Sequence, residues 1–311
     1  MFIFAQCFYF KESTMDWDGL RYFLAVARTS KVSEAGRRLG VEHSTVSRRI
    51  RQLEQEIATV LFDKSRRYGY VLTEAGRNLL QHAEKMESEL LNAQQQISVF
   101  EEDLSGNIRV AATEGFGVHM LTPLAVDFQK QYPKTSLEVM AFQRFVDQSR
   151  READIFITID RPLRGNYVYR LLSDYKLRLY ASPQYLKRHP LIKSTVDLAE
   201  HRFIDYIDEF IISEELKYLS DLIPNANVVF KSNSLVAQMQ ACIAGQAMAI
   251  LPCFMAYQNP NLQVVLPEEI VIKRSFWMLY HEDLRQLKRI ELFSNFLKNK
   301  LEQRQEIMMG D

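Results

Sequence analysis

Hydroxyl and guanidinium side chains are concentrated between positions 43 and 51, and they are the strongest chemical signal in the sequence. Guanidinium groups can bond phosphates and can pair with both acceptors on a guanine edge, and hydroxyl groups can also bond phosphates. This stretch therefore predicts contact with double-stranded DNA. The candidate contacts are His43, Ser44, Thr45, Ser47, Arg48, Arg49 and Arg51, joined by Ser33 and Arg37 from the preceding segment.

Three short amphipathic helices, predicted within residues 20–57, would position these side chains. Their apolar faces comprise Phe23, Leu24 and Ala27, then Ala35 and Leu39, and then Val46, Ile50, Leu53 and Ile57. Ser33 is expected to cap the second helix, and Gly40 is expected to end it at a tight turn. This pattern is typical of a helix-turn-helix, although a solvated basic face on an ordinary three-helix cluster would show the same periodicity.

Residues 61–72 predict a hairpin wing with its turn at Tyr68, Gly69 and Tyr70. Lys64, Arg66 and Arg67 lie beside that turn and complete the predicted DNA-binding set. Their charges suit phosphate neutralisation, and an exposed basic loop is the alternative.

Residues 73–104 predict one long helix with apolar positions at alternating steps of four and three. The positions are Leu79, Ala83, Met86, Leu90, Ala93, Ile97, Phe100 and Leu104. A single helix cannot bury such a seam alone, so we expect a second copy of the chain to pair along it through Leu79, Met86, Leu90, Ile97 and Phe100. Packing of the helix against its own chain is the alternative.

Beyond Gly106, strands at 108–112, 137–142 and 155–159 alternate with helices such as 118–131, and a final helix is expected at 285–303. This order predicts open α/β sheets, whose ligands lie beyond the carboxyl ends of strands. The candidate ligand residues are Thr113, Asp160, Arg161, Ser232, Asn233 and Ser234. A small carboxylate would suit the hydroxyls and Arg161, whereas ordinary helix caps and a surface ion pair are the alternative.

Composition agrees with a multidomain globular protein that contacts DNA with one part only. The 311 residues suggest two or three domains, and the net charge is zero overall. Residues 15–72 nevertheless contain eleven Lys and Arg against seven Asp and Glu. The basic excess therefore lies in the segment that carries the helix-turn-helix pattern.

Several other classes of site have no support in the sequence. The six His are scattered, the three Cys lack metal or disulfide spacing, and no cofactor motif is present. There is no nucleophile elbow, phosphate loop or paired catalytic carboxylates, so we predict no enzyme activity, no metal and no cofactor. Cys242 and Cys253 are expected to be buried structural thiols rather than redox sensors.

Residues 1–14 are expected to be a disordered leader or a misassigned start before Met15. They lack the pattern of a secretory signal, and no stretch reaches the length of a membrane span. We therefore expect a cytoplasmic protein.

The N-terminal segment resembles the DNA-binding domain of LysR-type transcriptional regulators. The matching strings are 16–17, 20–27, 37–41, 44–50, 53–54, 61–63 and 72–76, and weaker matches continue through 121–123, 153–155, 179–186 and 244–245 to 251–252. The resemblance implies a winged helix-turn-helix at 15–72, a linker and dimerisation helix at 73–105, and a two-lobed α/β effector domain at 106–311 like type 2 periplasmic binding proteins. Lobe I would hold about 106–175 and 268–311, lobe II about 176–267, with crossings near Leu177 and Trp277.

Some positions depart from the family pattern: Gly36 replaces a usual Ala, Glu42 a usual Ser or Thr cap, Ile57 a common Leu, and Ala247 a common Gly. The resemblance implies a homodimer or homotetramer on inverted-repeat DNA, a small-molecule effector, and RNA polymerase as a further candidate partner. A solute-binding protein would not explain the helix-turn-helix. An architectural DNA-binding protein, with an α/β domain used only for oligomerisation, is the alternative function.

Overall fold

A computed structural model describes residues 16–65, 69–97, 104–142, 152–161, 167–211 and 213–311. The chain divides into two compact units, Met1–Ala93 and Gln94–Asp311. The predicted leader at 1–14 lies outside the described residues.

Three helices, a hairpin and the first turns of a fourth helix build the first unit around one small core. The elements are α1 (Trp17–Thr29), α2 (Val32–Leu39), α3 (His43–Glu56), β1 (Phe62–Ser65) and β2 (Gly69–Leu72). Phe23, Val46, Ile50 and Phe62 are almost fully buried in that core. The apolar residues at helical spacing thus converge as the sequence predicts.

The cap predicted at Ser33 is wrong. The N-cap of α2 is Lys31, which makes no side-chain cap bond, and Ser33 is an exposed residue of the first helical turn. The predicted stop at Gly40 is confirmed, because Gly40 ends α2 in the left-handed region at φ 67°. That conformation costs glycine little and lets α3 begin only three residues later.

The hairpin wing is also confirmed, with β1 and β2 paired antiparallel from Phe62↔Leu72 to Ser65↔Gly69. The turn predicted at Tyr68, Gly69 and Tyr70 is wrong in its position, because Gly69 and Tyr70 already pair with Ser65 and Lys64 as residues of β2. The backbone N–H of Tyr70 donates to the carbonyl of Ser30 at 2.9 Å, which ties β2 to the turn between α1 and α2.

A long helix, α4 (Glu74–Ile97), follows the wing directly. Thr73 caps it, since its Oγ1 accepts from the N–H of Gly76 at 3.0 Å and donates to the carbonyl of Val60 at 2.9 Å. The helix was expected to reach Leu104, but its described part ends at Ile97 and residues 98–103 lie outside the described residues. Leu104 is a buried non-helical residue just before the first strand of the second unit, so it is not part of the helical seam.

The second unit is built on a nine-stranded sheet. The strands are β3 (Gly106–Thr113), β4 (Thr135–Phe142), β5 (Ile155–Thr158), β6 (Tyr167–Ala181), β7 (Arg202–Asp205), β8 (Asn227–Lys231), β9 (Met248–Pro252), β10 (Gln263–Val265) and β11 (Val271–His281). Their order in the sheet is β4-β3-β5-β11-β6-β9-β7-β8, with β10 paired to β6. β3 is parallel to both β4 and β5, and β7 is parallel to both β8 and β9. These two parallel groups form the sheets of two α/β lobes.

Two long antiparallel strands, β6 and β11, join the lobes. β6 pairs with β9, a strand of the second parallel group, from Leu177 to Tyr180. β11 pairs with β5, a strand of the first parallel group, from Trp277 to Leu279. Leu177 and Trp277 are the residues near which the sequence predicts the crossings. The predicted fold class is therefore confirmed.

Short helices cover and connect these strands. The helices are α5 (Glu114–Phe116), α6 (Thr122–Gln131), α7 (Pro183–Arg188), α8 (Tyr218–Leu222), α9 (Leu235–Ile243), α10 (Cys253–Ala256), α11 (Lys288–Glu302) and α12 (Gln305–Met309). Among the described residues there are also short 3-10 segments at Thr195–Glu200, Asp208–Phe210, Glu214–Leu216 and Glu282–Leu284.

The helix predicted at 118–131 instead begins with a π-helical segment, Gly117–Leu121, before α6. The final helix predicted at 285–303 is shorter, and α12 follows it with Met308 fully buried. Within the described parts of the chain, no helix combines the length and apolar character needed to cross a membrane.

Candidate DNA-binding surface and ligand cavity

Helix α3 turns an apolar stripe into the core and a polar face towards solvent. Val46, Ile50 and Leu53 are 0–2% exposed. The helical period then places Ser44 and Arg48 on the outside, where both are exposed. The burial pattern thus presents the hydroxyl and guanidinium groups of the sequence signal at the surface of the first unit.

Arg48 is the most available cation on α3. Among the described residues it makes no hydrogen bond or ion pair, whereas Arg51 Nε donates to the carbonyl of Ser47 at 3.3 Å. On α2, Arg37 is exposed and pairs with Glu34 at 2.6 Å. An exposed cation with no internal partner can neutralise a phosphate without breaking an existing bond.

Arg49 has a different environment from its neighbours. Its guanidinium lies 3.3 Å from Asp18 and 5.8 Å from the ring centre of Tyr22, both on α1. The side chain is 35% exposed. Arg49 therefore braces α3 against α1, and its predicted DNA contact would require it to leave these partners.

The remaining members of the predicted DNA-binding set differ in their exposure to solvent. Ser33, His43 and Lys64 are exposed, Thr45 and Ser47 are half-buried, and Lys64 Nζ lies 5.7 Å from the ring centre of Tyr70. Arg66 and Arg67 lie outside the described residues.

The predicted dimerisation seam on α4 divides along the helix. Leu79 is half-buried against the core of the first unit, and Ala83 belongs to that core. Met86 and Leu90 are instead 48% and 40% exposed. The side chain of Ile97 and the whole of Phe100 lie outside the described residues. The large apolar side chains of the seam left for a partner in the described helix are thus Met86 and Leu90, four residues apart on one face, and Ala93 is also exposed.

The second unit contains a cavity of about 60 Å³, framed by residues that follow the carboxyl ends of its strands. Two of the predicted ligand residues, Thr113 and Asn233, line it. A single water needs roughly 10–15 Å³ on this measure, so the cavity could hold roughly four waters or one compact organic molecule.

Aromatic rings form most of the cavity wall. They are Phe116, Tyr175, Tyr206, Tyr218, Phe254 and Phe276. Tyr175 stacks on Phe276 with ring centres 4.3 Å apart, and Phe116 lies 4.4 Å from the same ring. Burial raises the pKa of Tyr175, Tyr206 and Tyr218, so all three present neutral phenols.

The other predicted ligand residues are occupied by protein partners. Ser234 caps α9 by accepting from the N–H of Ala237 at 3.1 Å, and its hydroxyl donates to the carboxylate of Glu114 at 3.0 Å. Ser232 Oγ accepts from the N–H of Ser234 at 3.1 Å. The helix-cap alternative therefore describes Ser234 in this structure.

Asp160 and Arg161 also engage protein groups. Asp160 accepts from the hydroxyl of Ser213 at 2.9 Å. Arg161 lies over the rings of Tyr169 and Trp277, 5.7 Å and 5.5 Å from their centres. Neither residue is among those lining the cavity.

Sequence reasoning missed Glu114 and the aromatic wall. Glu114 directly follows the candidate residue Thr113, so the sequence signal that points to Thr113 lies one residue away from it. The aromatic residues come from α5, β6, the segment after β7, α8, α10 and β11, which are distant from one another in the sequence. Only the pairing of β6 with β11 brings Tyr175 and Phe276 to the same place.

Cys242 and Cys253 are both buried. Burial raises the pKa of the Cys242 thiol to about 12 and also raises that of Cys253. Both thiols therefore stay protonated near neutral pH and react slowly. Within the ranges described, no group of three His, Cys, Asp or Glu is arranged to hold a metal ion.

A winged helix-turn-helix and a two-lobed α/β unit with a cavity define the class of ligand-responsive DNA-binding regulators. Two family models match the chain: "Bacterial regulatory helix-turn-helix protein, lysR family" at residues 17–77 and "LysR substrate binding domain" at residues 101–302. The chain therefore belongs to the LysR family of transcriptional regulators, and it is a DNA-binding regulator of transcription.

Known regulators resemble the chain over almost its whole length. The Mau operon transcriptional activator of Paracoccus denitrificans is 28% identical, over 87% of this chain and 91% of that protein. The regulator CrgA of Neisseria meningitidis serogroup C is 25% identical, over 91% and 96%. These relatives are transcriptional regulators.

Solved structures show the same fold. A full-length OxyR variant from Pseudomonas aeruginosa has a TM-score of 0.69 at 16% identity and covers 91% of this chain and 95% of that one. CrgA from Neisseria meningitidis has a TM-score of 0.56 at 23% identity and covers 91% and 98%.

Proposed function

We propose that the chain binds an interrupted inverted repeat in DNA through α3 and the wing. The exposed polar face of α3, centred on Ser44 and Arg48 above a buried stripe, is the observation that carries this proposal. An α-helix fits the major groove, and the residues near its start lie closest to base edges. The basic excess of the first unit supports attraction to the phosphate backbone.

The regulator acts as a homodimer or homotetramer. Met86 and Leu90 expose apolar surface on a 24-residue helix, and burying that surface against a second copy would remove it from water. A two-fold pair of chains would offer two recognition helices to two half-sites of one operator. Chromosomal DNA as the partner supports a cytoplasmic location, and RNA polymerase is a candidate partner at the promoter.

A small-molecule effector would bind in the cavity of the second unit and shift the population of regulator states. Support comes from the position of the cavity beyond the carboxyl ends of parallel strands, where ligands of open α/β sheets bind. Its aromatic wall would remove an effector from water. An effector that binds one state of the regulator more tightly than the other would thereby change the affinity of the regulator for DNA.

Selection of genomic DNA fragments on the purified full chain at physiological salt would test the DNA-binding proposal. Enrichment of a few sites that share an interrupted inverted repeat is the expected result. Enrichment that depends on salt but has no shared motif would contradict it and would favour the architectural alternative.

A further inference from the structure

We propose that the segment Gln305–Asp311 is a strap that holds the two lobes of the second unit together, and that the ion pairs of Asp311 are its latch. The strap consists of α12 and the two residues that follow it. This proposal concerns the second unit alone, so it does not depend on the proposed operator or on the proposed effector.

The path of the chain from α11 to α12 provides the first argument. α11 packs against α6 and β3 in the lobe of β3, β4 and β5, where the ring centres of Phe293 and Phe128 lie 4.9 Å apart. α12 instead packs against β6 and against α10, which directly follows β9 in the other lobe. Met308 on α12 is fully buried. The strap therefore connects the two lobes beside the crossing strands β6 and β11.

The ion pairs of Asp311 provide the second argument. Both of its carboxylate oxygens accept from Lys176 Nζ at 2.8 Å, and one also accepts from Arg178 at 3.1 Å. These two cations lie on β6 at the crossing, and their side chains are only 14% and 15% exposed. Lys176 is also directly opposite Lys273 on β11, and like charges in that arrangement destabilise a sheet. Asp311 therefore brings a negative charge to a group of cations at the crossing.

The position of the strap behind the cavity wall provides the third argument. Tyr175 and Leu177 of β6 line the cavity. Because successive side chains of a strand point to opposite faces, Lys176 between them points away from the cavity and reaches Asp311 on the other face. The same stretch of β6 thus forms the cavity wall on one face and binds the strap on the other.

Helix α10 likewise contacts both the cavity and the strap. Phe254 lines the cavity, whereas a Cβ on Gly310 of the strap would lie 2.8 Å from the Sγ of Cys253. Only a glycine permits this close approach. Tyr257, which follows α10, donates its hydroxyl to a main-chain oxygen of Asp311 at 3.2 Å. Cys253 is 1% exposed beneath the strap, so the reactivity of its thiol reports whether the strap is in place.

Alkylation of the full chain with N-ethylmaleimide, read separately for each cysteine by mass spectrometry, would test the latch. Asp311→Asn leaves the two cations of β6 without their counter-charge, so Cys253 should react at least about threefold faster than in the wild type. Cys242 on α9 is also fully buried and should keep its wild-type rate. Asp221→Asn removes an exposed carboxylate elsewhere in the same unit and is the matched control.

Tyr257→Phe is a milder variant that removes only the hydroxyl donating to Asp311. It should raise the alkylation rate of Cys253 in the same direction but by less. Hydrogen exchange of the same samples would test the restraint on the lobes. In Asp311→Asn, the amides of β6 and β11 near the crossing should exchange faster than in the wild type, whereas those of α1 and α3 in the first unit should not.

Three results would overturn the proposal. Equal alkylation rates of Cys253 in the wild type and in Asp311→Asn would show that Asp311 is not a latch. An equal increase at Cys253 and Cys242 would show that Asp311 stabilises the whole second unit instead of holding a strap in place. Unchanged hydrogen exchange at the crossing would show that the strap does not restrain the lobes.

Discussion

At the residue scale, adjacent arginines on α3 have different roles because they face different neighbours. Arg48 points to solvent from the side opposite the buried stripe, whereas Arg49 reaches back to Asp18 and Tyr22 on α1. Residue type alone makes the two equivalent candidates for DNA contact. Their environments instead predict one binding residue and one bracing residue.

Arg48→Ala should weaken operator binding by about 1–3 kcal/mol and leave the melting temperature unchanged. Arg49→Ala should lower the free energy of unfolding by up to about 1 kcal/mol, since it removes a partly exposed ion pair and a ring contact. Fluorescence anisotropy with an operator duplex and thermal unfolding would measure both effects. Arg188→Ala, which removes an exposed charge from the second unit, is the control. An operator affinity that is unchanged in Arg48→Ala would show that this side chain does not contact the operator.

Gly76 illustrates a second residue-scale effect, in which close packing outweighs helix propensity. A Cβ at this position would lie 2.2 Å from the carbonyl oxygen of Leu61. Gly76→Ala should therefore destabilise the first unit by about 1–3 kcal/mol, although alanine normally favours a helix by about 1 kcal/mol over glycine. Urea unfolding would measure the change, and a gain in stability would contradict this account of the contact.

At the element scale, the first and later turns of α4 have different environments. Its first turns pack Leu80 and Ala83 into the winged-helix core, and its later turns expose Met86 and Leu90. The heptad pattern predicts one continuous seam because leucine and alanine suit both environments. Which positions remain for a second copy depends on where the core of the first unit ends.

Leu90→Glu should convert oligomers to monomers, because it would bury a charge in an apolar interface. Sedimentation velocity of the full chain would show the change. Gln81→Glu adds the same charge at an exposed position of the same helix and should leave the oligomer intact. A dimer that persists in Leu90→Glu would refute the seam.

At the scale of the whole molecule, we expect one buried histidine to make the stability of the second unit depend on pH. His201 is fully buried, and its Nδ1 lies 3.1 Å from the hydroxyl of Tyr185, which itself accepts from the N–H of Arg202. Burial and the nearby His189 lower the pKa of His201 below its ordinary value. The folded protein therefore holds the neutral form.

Because the unfolded chain binds this proton more tightly, the contribution of His201 to stability is present above about pH 6.5 and is lost as the pH falls towards and through the folded pKa. We expect the free energy of unfolding to decrease by up to about 1.4 kcal/mol per pH unit in that range. His201→Gln should flatten this dependence in chemical unfolding, whereas His43→Gln, at an exposed position, should not. If the free energy of unfolding of His201→Gln changes with pH as steeply as that of the wild type, other titrating groups cause the pH dependence.

The sequence by itself determined the architecture and the class of partner. Apolar spacing and the stop at Gly40 specify the helix-turn-helix, and alternating strands and helices specify the α/β unit, since these signals are local in the chain. The exact element ends were less predictable. The first turn of α2, the π-helical segment before α6 and the added α12 depend on contacts that periodicity does not record.

Only the tertiary structure decided which candidate residues share a site. Thr113 and Asn233 line the cavity, whereas Ser234 bonds to Glu114 and Arg161 stacks on aromatic rings. The aromatic wall comes together because β6 pairs with β11 about a hundred residues further along the chain. The packing of the cavity wall arises from such distant pairings, so it follows from the folded chain rather than from any local motif.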